Sequence, residues 1–265
     1  MSDVGLRARP VLVTGGVLAT TVTVWLVLSG LPFLDALLVS AFTAALPALS
    51  VAQLALLGHM RVERLAAYGS SMLSLVVIGG VAGVVGGRMG GPAALGFVAL
   101  PWSALVSWTA GLLVAGLALV LVFHAAAVGV GYSESPILRQ LLPRTSREKG
   151  VFAALSVAAG LGEETAYRGY LITALAPLTG VGWAAVISSG IFGVLHVYQG
   201  WLGIPRTALL GGLLAWGFLA SGSLWPAILA HSAIDLIAGI VLGDRLVGPA
   251  PPSESASIDR VAPSA

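Results

Sequence analysis

The sequence contains no cysteine, and only 9% of its 265 residues are charged. The first absence excludes disulfides, thiol nucleophiles and thiolate metal sites. The second excludes a soluble globular chain, whose surface needs far more charge to face water. There is no HExxH pattern, so the helical zinc site of soluble metalloproteases is missing. A net charge of +2 spread along the chain gives no basic patch for nucleic acid. Long polar stretches are also scarce. The most polar internal segment is "GYSESPILRQLLPRTSREKG", in which "SPILRQLL" reads as a short amphipathic surface helix.

What fills the chain is hydrocarbon: 57% of residues are hydrophobic and the mean hydropathy is +0.98. Apolar runs of about twenty residues recur from end to end, the length needed to cross a bilayer. The fold expected is all-α, a polytopic membrane helical bundle of about eight transmembrane helices. The spans fall near 11–30, 33–57, 69–87, 97–127, 150–176, 182–200, 206–222 and 224–243. The N-terminal run, basic at its start and lacking a small-x-small cleavage site, reads as the first span. Many of the 35 glycines lie inside apolar runs such as "VVIGGVAGVVGG". In a bilayer they let helix backbones approach closely.

Lys and Arg set the orientation. Of 13, Arg88 falls on one side and Arg168 inside a span, leaving 11 on the other side. That asymmetry predicts a cell-membrane protein with both termini in the cytoplasm. The division expected is four N-terminal spans over 1–130, a cytoplasmic loop over 131–149, a second group of four spans over 150–243, and a disordered cytoplasmic tail over 244–265. Asp35 and Arg88 read as boundary residues, and His59 as a solvated loop residue.

Charge inside a span costs about 2.5–3.5 kcal/mol at the helix centre, so each intramembrane ionisable residue is a candidate for function. Here they are Glu163, Glu164 and Arg168 in "GEETAYRG", His196 in "FGVLH", and His231 and Asp235 in "HSAID". Helical spacing puts Glu164 and Arg168 on one face as an i,i+4 pair and leaves Glu163 for chemistry. It also puts His231 and Asp235 one turn apart. Carboxylates and histidines converging in a cavity open to the cytoplasm suit hydrolysis, with a carboxylate taking a proton from water.

Those three motifs resemble the EExxxR, FxxxH and HxxxN/D motifs of the CAAX-protease and bacteriocin-processing (CPBP, or Abi) family of intramembrane proteases. Order and spacing agree over about residues 150–243, which makes this group of four spans the catalytic core that the resemblance implies. It also implies that Glu163 and His196 activate the attacking water, that His231 and the residue at 235 stabilise the oxyanion, and that Glu164 and Arg168 support the site. Asp235 stands where the prenyl-protease branch has asparagine. A carboxylate cannot donate to an oxyanion, so Asp235 is expected to orient His231, which favours the bacterial branch over prenylated substrates.

The expected activity is that of an intramembrane endopeptidase acting on a peptide or protein substrate, lipidated or membrane-embedded, with no cofactor. The alternative catalytic type is a divalent metal such as zinc held by Glu164, His196 and His231. Arg168 beside the glutamates argues against it. Two other functions compete. Chains of Glu, His and Asp also make the proton relays of transporters. The same residues could equally brace a non-catalytic scaffold or immunity protein.

Overall fold

The computed structural model describes residues 3–57, 62–132 and 134–247. Every element among them is helical, as expected where no water is present to satisfy backbone polar groups. The first pass is α1 (Asp3–Leu28). The second joins α2 (Phe33–Ser40) to α3 (Leu46–Leu57) through a π-helical turn at Ala41–Ala45. α4 (Arg64–Gly87) and α5 (Trp102–Gly129) follow, linked by a 3₁₀ turn at Pro92–Leu95. α6 (Pro136–Leu141) is the short helix expected in the polar segment.

The second half begins with one continuous helix. α7 (Ser146–Glu163) passes into a π-helical stretch at Glu164–Leu171 and then into α8 (Ile172–Thr179). α9 (Val181–Leu195), α10 (Gly203–Ser221) and α11 (Trp225–Leu236) complete the bundle. α11 continues through a π turn at Ile237–Val241, and α12 (Gly243–Val247) closes the described chain. Among the described residues, five helical segments are long and apolar enough to cross a membrane, while Val181–Leu195 and Trp225–Val241 are shorter apolar helices. With the α7–α8 helix these eight passes correspond to the eight expected spans.

Several boundaries differ from the sequence reading. The third span begins at Arg64, because its first turn is amphipathic and not apolar. The fourth starts at Trp102, since Pro101 caps its N-terminus. The sixth ends at Leu195, well short of residue 200. The loop expected over 131–149 holds α6 and the first turn of α7, and residues 244–247 of the expected tail are helical. The rest of that tail, and His59, lie outside the described residues.

α7 is the central element, packed between α4 and α11. Glycines make this possible. A Cβ on Gly79 would come within 2.7 Å of the Gly162 Cα, and one on Gly162 within 2.6 Å of the Leu75 carbonyl oxygen. On the other face, a Cβ on Gly160 would lie 2.7 Å from the Ile228 carbonyl oxygen and would strike Ser232 Oγ. Backbone contact at this range gains packing that lipid cannot supply. We expect Gly160→Ala to destabilise the bundle by about 1–3 kcal/mol through overpacking. Denaturant unfolding in detergent would measure this, and an unchanged midpoint would contradict the close approach.

The start of α7 is fixed by a capping box. Thr145 Oγ1 accepts from the Glu148 amide at 3.2 Å, and Glu148 Oε2 accepts from the amides of Thr145 at 2.9 Å and Arg144 at 2.7 Å. Those two backbone donors hold the Glu148 carboxyl below its ordinary range, the Thr145 amide most strongly. A lowered folded value means stability present above the unfolded pKa and lost as pH falls through the folded one. Glu148→Gln should therefore lower the melting temperature at neutral pH. Its difference from the parent should vanish in acid, and a difference independent of pH would refute the linkage.

Candidate functional site

The α7–α8 helix changes its winding where the sequence places its charges. All eight residues of the π-helical stretch Glu164–Leu171 are buried. A π segment inserts extra residues into a helical turn and is favoured at functional sites. Arg168 is fully buried, and its Nη1 donates to Glu164 Oε1 at 2.8 Å. Its guanidinium carbon also sits 4.2 Å from the centroid of the Phe192 ring, a stacking that suits a desolvated arginine.

The same carboxylate oxygen of Glu164 accepts a second bond, from His231 Nδ1 on α11 at 2.7 Å. A carboxylate can only accept, so Nδ1 carries the proton. On the other side of the ring, His231 Nε2 lies 3.6 Å from Glu163 Oε2 and 3.6 Å from Asp235 Oδ2. These separations exceed a hydrogen bond but are within ion-pair range for a protonated ring. His231 is thus held between one buried carboxylate and two more accessible ones.

His196 sits immediately past the last residue of α9 and is partly buried. Its Nδ1 lies 2.8 Å from the Phe192 carbonyl oxygen, so this nitrogen donates and Nε2 keeps its lone pair in the neutral ring. Phe192 gathers the site. Its ring stands 4.6 Å from that of His196, 5.9 Å from His231 and 5.6 Å from Tyr167. His196 and Asp235 both lie within electrostatic reach of Glu163. All six candidate residues therefore meet in one cluster drawn from α7, the π stretch, α9 and α11.

Side-chain exposure rises in order across it: 0% for Glu164 and Arg168, 4% for His231, 18% for Glu163 and 38% for Asp235. The polar cluster has a sealed end at Glu164 and Arg168 and a more exposed end at Glu163 and Asp235. Residues 145–237, about a third of the chain, match the family model described as type II CAAX prenyl endopeptidase, Rce1-like. That segment is similar to the Rce1-like family. No curated protein and no solved structure matches the chain. The Rce1-like family is one of endopeptidases acting in membranes, and the apolar helices agree with an integral membrane protein.

Two members of the zinc set considered from the sequence, Glu164 and His231, bond to each other in the structure. Among the described residues no three His, Asp or Glu side chains are disposed to hold a metal ion. Glu164 spends one oxygen on both Arg168 and His231 at the closed end of the cluster, and His231 spends Nδ1 on Glu164. The second oxygen of Glu164, Oε2, is buried without a hydrogen-bond partner among the described residues.

Two groups read otherwise from sequence have structural partners. Asp35 is 4% exposed, accepting from Tyr170 Oη at 3.0 Å and from Arg88 Nη2 at 3.3 Å. Tyr170 belongs to the π stretch, so the pair read as boundary residues tethers the motif helix. Arg206, counted only toward orientation, pairs with Glu134 at 2.6 Å and donates to Gln199 Oε1 at 3.0 Å, next to His196. The signal available was the polar "HVYQ" directly after the FxxxH motif.

Removing Arg168 would leave Glu164 buried with only His231 against it. Losing one partner of a buried pair costs about 3–5 kcal/mol. We expect Arg168→Met to lose this much in denaturant unfolding, and the double change Arg168→Met with Glu164→Gln to recover part of it. Simple additivity of the two changes would show that the pair is not coupled.

Proposed function

We propose that the cluster hydrolyses a peptide bond of a membrane-anchored peptide, using water activated by Glu163 and His196 at a face open to the cytoplasm. The observation that carries this reading is the exposure order. Glu163 is the glutamate that water can reach, whereas Glu164 is sealed beneath it with Arg168 and His231. His196 Nε2, left as an acceptor by the Nδ1 contact, is suited to hold one hydrogen of the same water.

In the proposed step, Glu163 takes a proton from water while its oxygen bonds to the scissile carbonyl carbon. The carbonyl π pair moves onto oxygen as the oxyanion. His231 donates to that oxyanion through Nε2, its Nδ1–H held by Glu164. Collapse re-forms the carbonyl and breaks the C–N bond, and Glu163 returns its proton to the leaving amine. Asp235, 3.6 Å from His231 Nε2, is the counter-charge to that ring when it carries both protons. The proposed water mechanism uses no metal.

The test uses purified protein in liposomes with a fluorogenic farnesylated CaaX peptide and its unprenylated counterpart. Glu163→Gln should reduce cleavage by about 10²–10⁴-fold. Its fold should survive, because Glu163 makes no buried hydrogen bond that the amide would break. Dialysis against a chelator should leave the parent rate unchanged. Full activity in Glu163→Gln would overturn the reading. Comparison of the two peptides decides whether prenylation is recognised.

A further inference from the structure

The hydrolytic reading leaves the oxyanion short of donors. Asp235 is a carboxylate, and His231 has a single free N–H to offer. The hydroxyls on neighbouring helices are already spent: Ser188 donates to the Tyr167 carbonyl, Ser189 to Ala185, Thr165 to Leu161 and Ser232 to Ile228.

Tyr198 is different. It stands in a 3₁₀ turn, Val197–Gln199, that begins directly after His196, and its ring lies 5.8 Å from the His196 ring. Its hydroxyl accepts from Gln199 Nε2 at 3.3 Å. The direction of that bond follows from the other end of the amide. Gln199 Oε1 takes donors from Arg206 Nη2 at 3.0 Å and Thr207 Oγ1 at 3.3 Å, and a guanidinium can only donate. Arg206 is in turn held by Glu134 at 2.6 Å, with side-chain exposures of 12% and 5%. The amide is therefore oriented with its NH₂ toward Tyr198, the phenol oxygen serves as acceptor, and its own proton has no protein acceptor among the described residues.

The turn is closed by Gly200, whose φ of 94° lies in the left-handed region and whose missing side chain makes room for Tyr132 Oη. Glu163 and Asp235 are both within electrostatic reach of the Tyr198 hydroxyl. Tyr167, the other phenol near Glu163, is 3% exposed and lies against the rings of Phe42 and Phe192.

We infer that Tyr198 is a catalytic residue whose phenolic O–H donates to the oxyanion, the donor that position 235 lacks in this chain. The chain Glu134, Arg206, Gln199 is its positioning device. This rests on the hydrolytic reading above. A phenol with an ordinary pKa of about 10 stays protonated at neutral pH, so the donor is present throughout the working range. The step breaks no bond to the phenol; it only adds a hydrogen bond as charge develops.

The experiment compares Tyr198→Phe, Tyr167→Phe and Glu163→Gln in liposomes with the fluorogenic farnesylated CaaX peptide. It adds inhibition by a phosphonamidate peptide of the same sequence, a stable mimic of the tetrahedral species. Loss of one oxyanion donor costs about 10²–10³-fold in kcat, and we expect Tyr198→Phe to fall near the lower figure with KM little changed. Phosphonamidate affinity should weaken in parallel, which a merely structural defect would not produce. Tyr167→Phe should keep kcat. Gln199→Ala, which frees the phenol to rotate, should give a smaller loss of kcat. If Tyr198→Phe keeps the parental kcat while Glu163→Gln is inactive, the Tyr198 proposal fails and the hydrolytic reading stands. If Glu163→Gln is fully active, the hydrolytic reading fails and the proposal falls with it.

Discussion

One oxygen atom, Oε1 of Glu164, receives Arg168 from its own helix and His231 from α11. The carboxylate is fully buried, so neither partner is optional. An isolated charge there would be expelled or neutralised, and a pair is tolerated only with well-directed hydrogen bonds. Meeting that requirement brings α11 against the α7–α8 helix at a defined height. It also fixes which nitrogen of His231 is protonated. The stacking of Arg168 on Phe192 then carries the same constraint to α9 and to His196. The buried charge group is what aligns three helices around Glu163.

The π-helical winding follows from the same demand. Eight consecutive buried residues that include a glutamate, an arginine and two tyrosines cannot all be served by one face of a regular helix. Widening the turn spreads their side chains over a larger arc. Glu164 and Arg168 reach inward to α11 and α9, while Tyr170 reaches Asp35 on α2. Polar side chains thus leave the helix in several directions, toward α2, α9 and α11.

The local half of this arrangement was legible in the sequence. Four-residue spacing suffices to pair Glu164 with Arg168 and to bring Phe192 to His196, and hydropathy suffices to mark the membrane passes. Contacts between helices were not legible, because apolar surroundings are alike everywhere in such a chain. Nothing local says that His231 turns Nδ1 to Glu164 and not to Glu163. The π winding is silent in hydropathy, since an added residue in a uniformly apolar or polar run leaves no trace. The partners of Arg206 and Arg88 were not legible for a related reason: a basic residue near a helix end satisfies the orientation rule whether or not it has a partner. Only the paired acids, Glu134 and Asp35, distinguish the two cases, and they are distant in sequence.

The contacts of the π stretch also bear on what the matched region is. Residues 145–237 hold every candidate catalytic group, yet much of their wall comes from outside. Gly162 rests on the backbone of α4, Phe42 packs against Tyr167 and Tyr170, and Asp35 receives the Tyr170 hydroxyl. A chain beginning at residue 145 would present that surface to lipid, including a tyrosine hydroxyl with no acceptor and a strip of bare glycine backbone. The segment similar to the Rce1-like family thus shares its packing with the passes before it. The first four passes, which carry none of the motifs, are the mould in which the motif helix takes its shape.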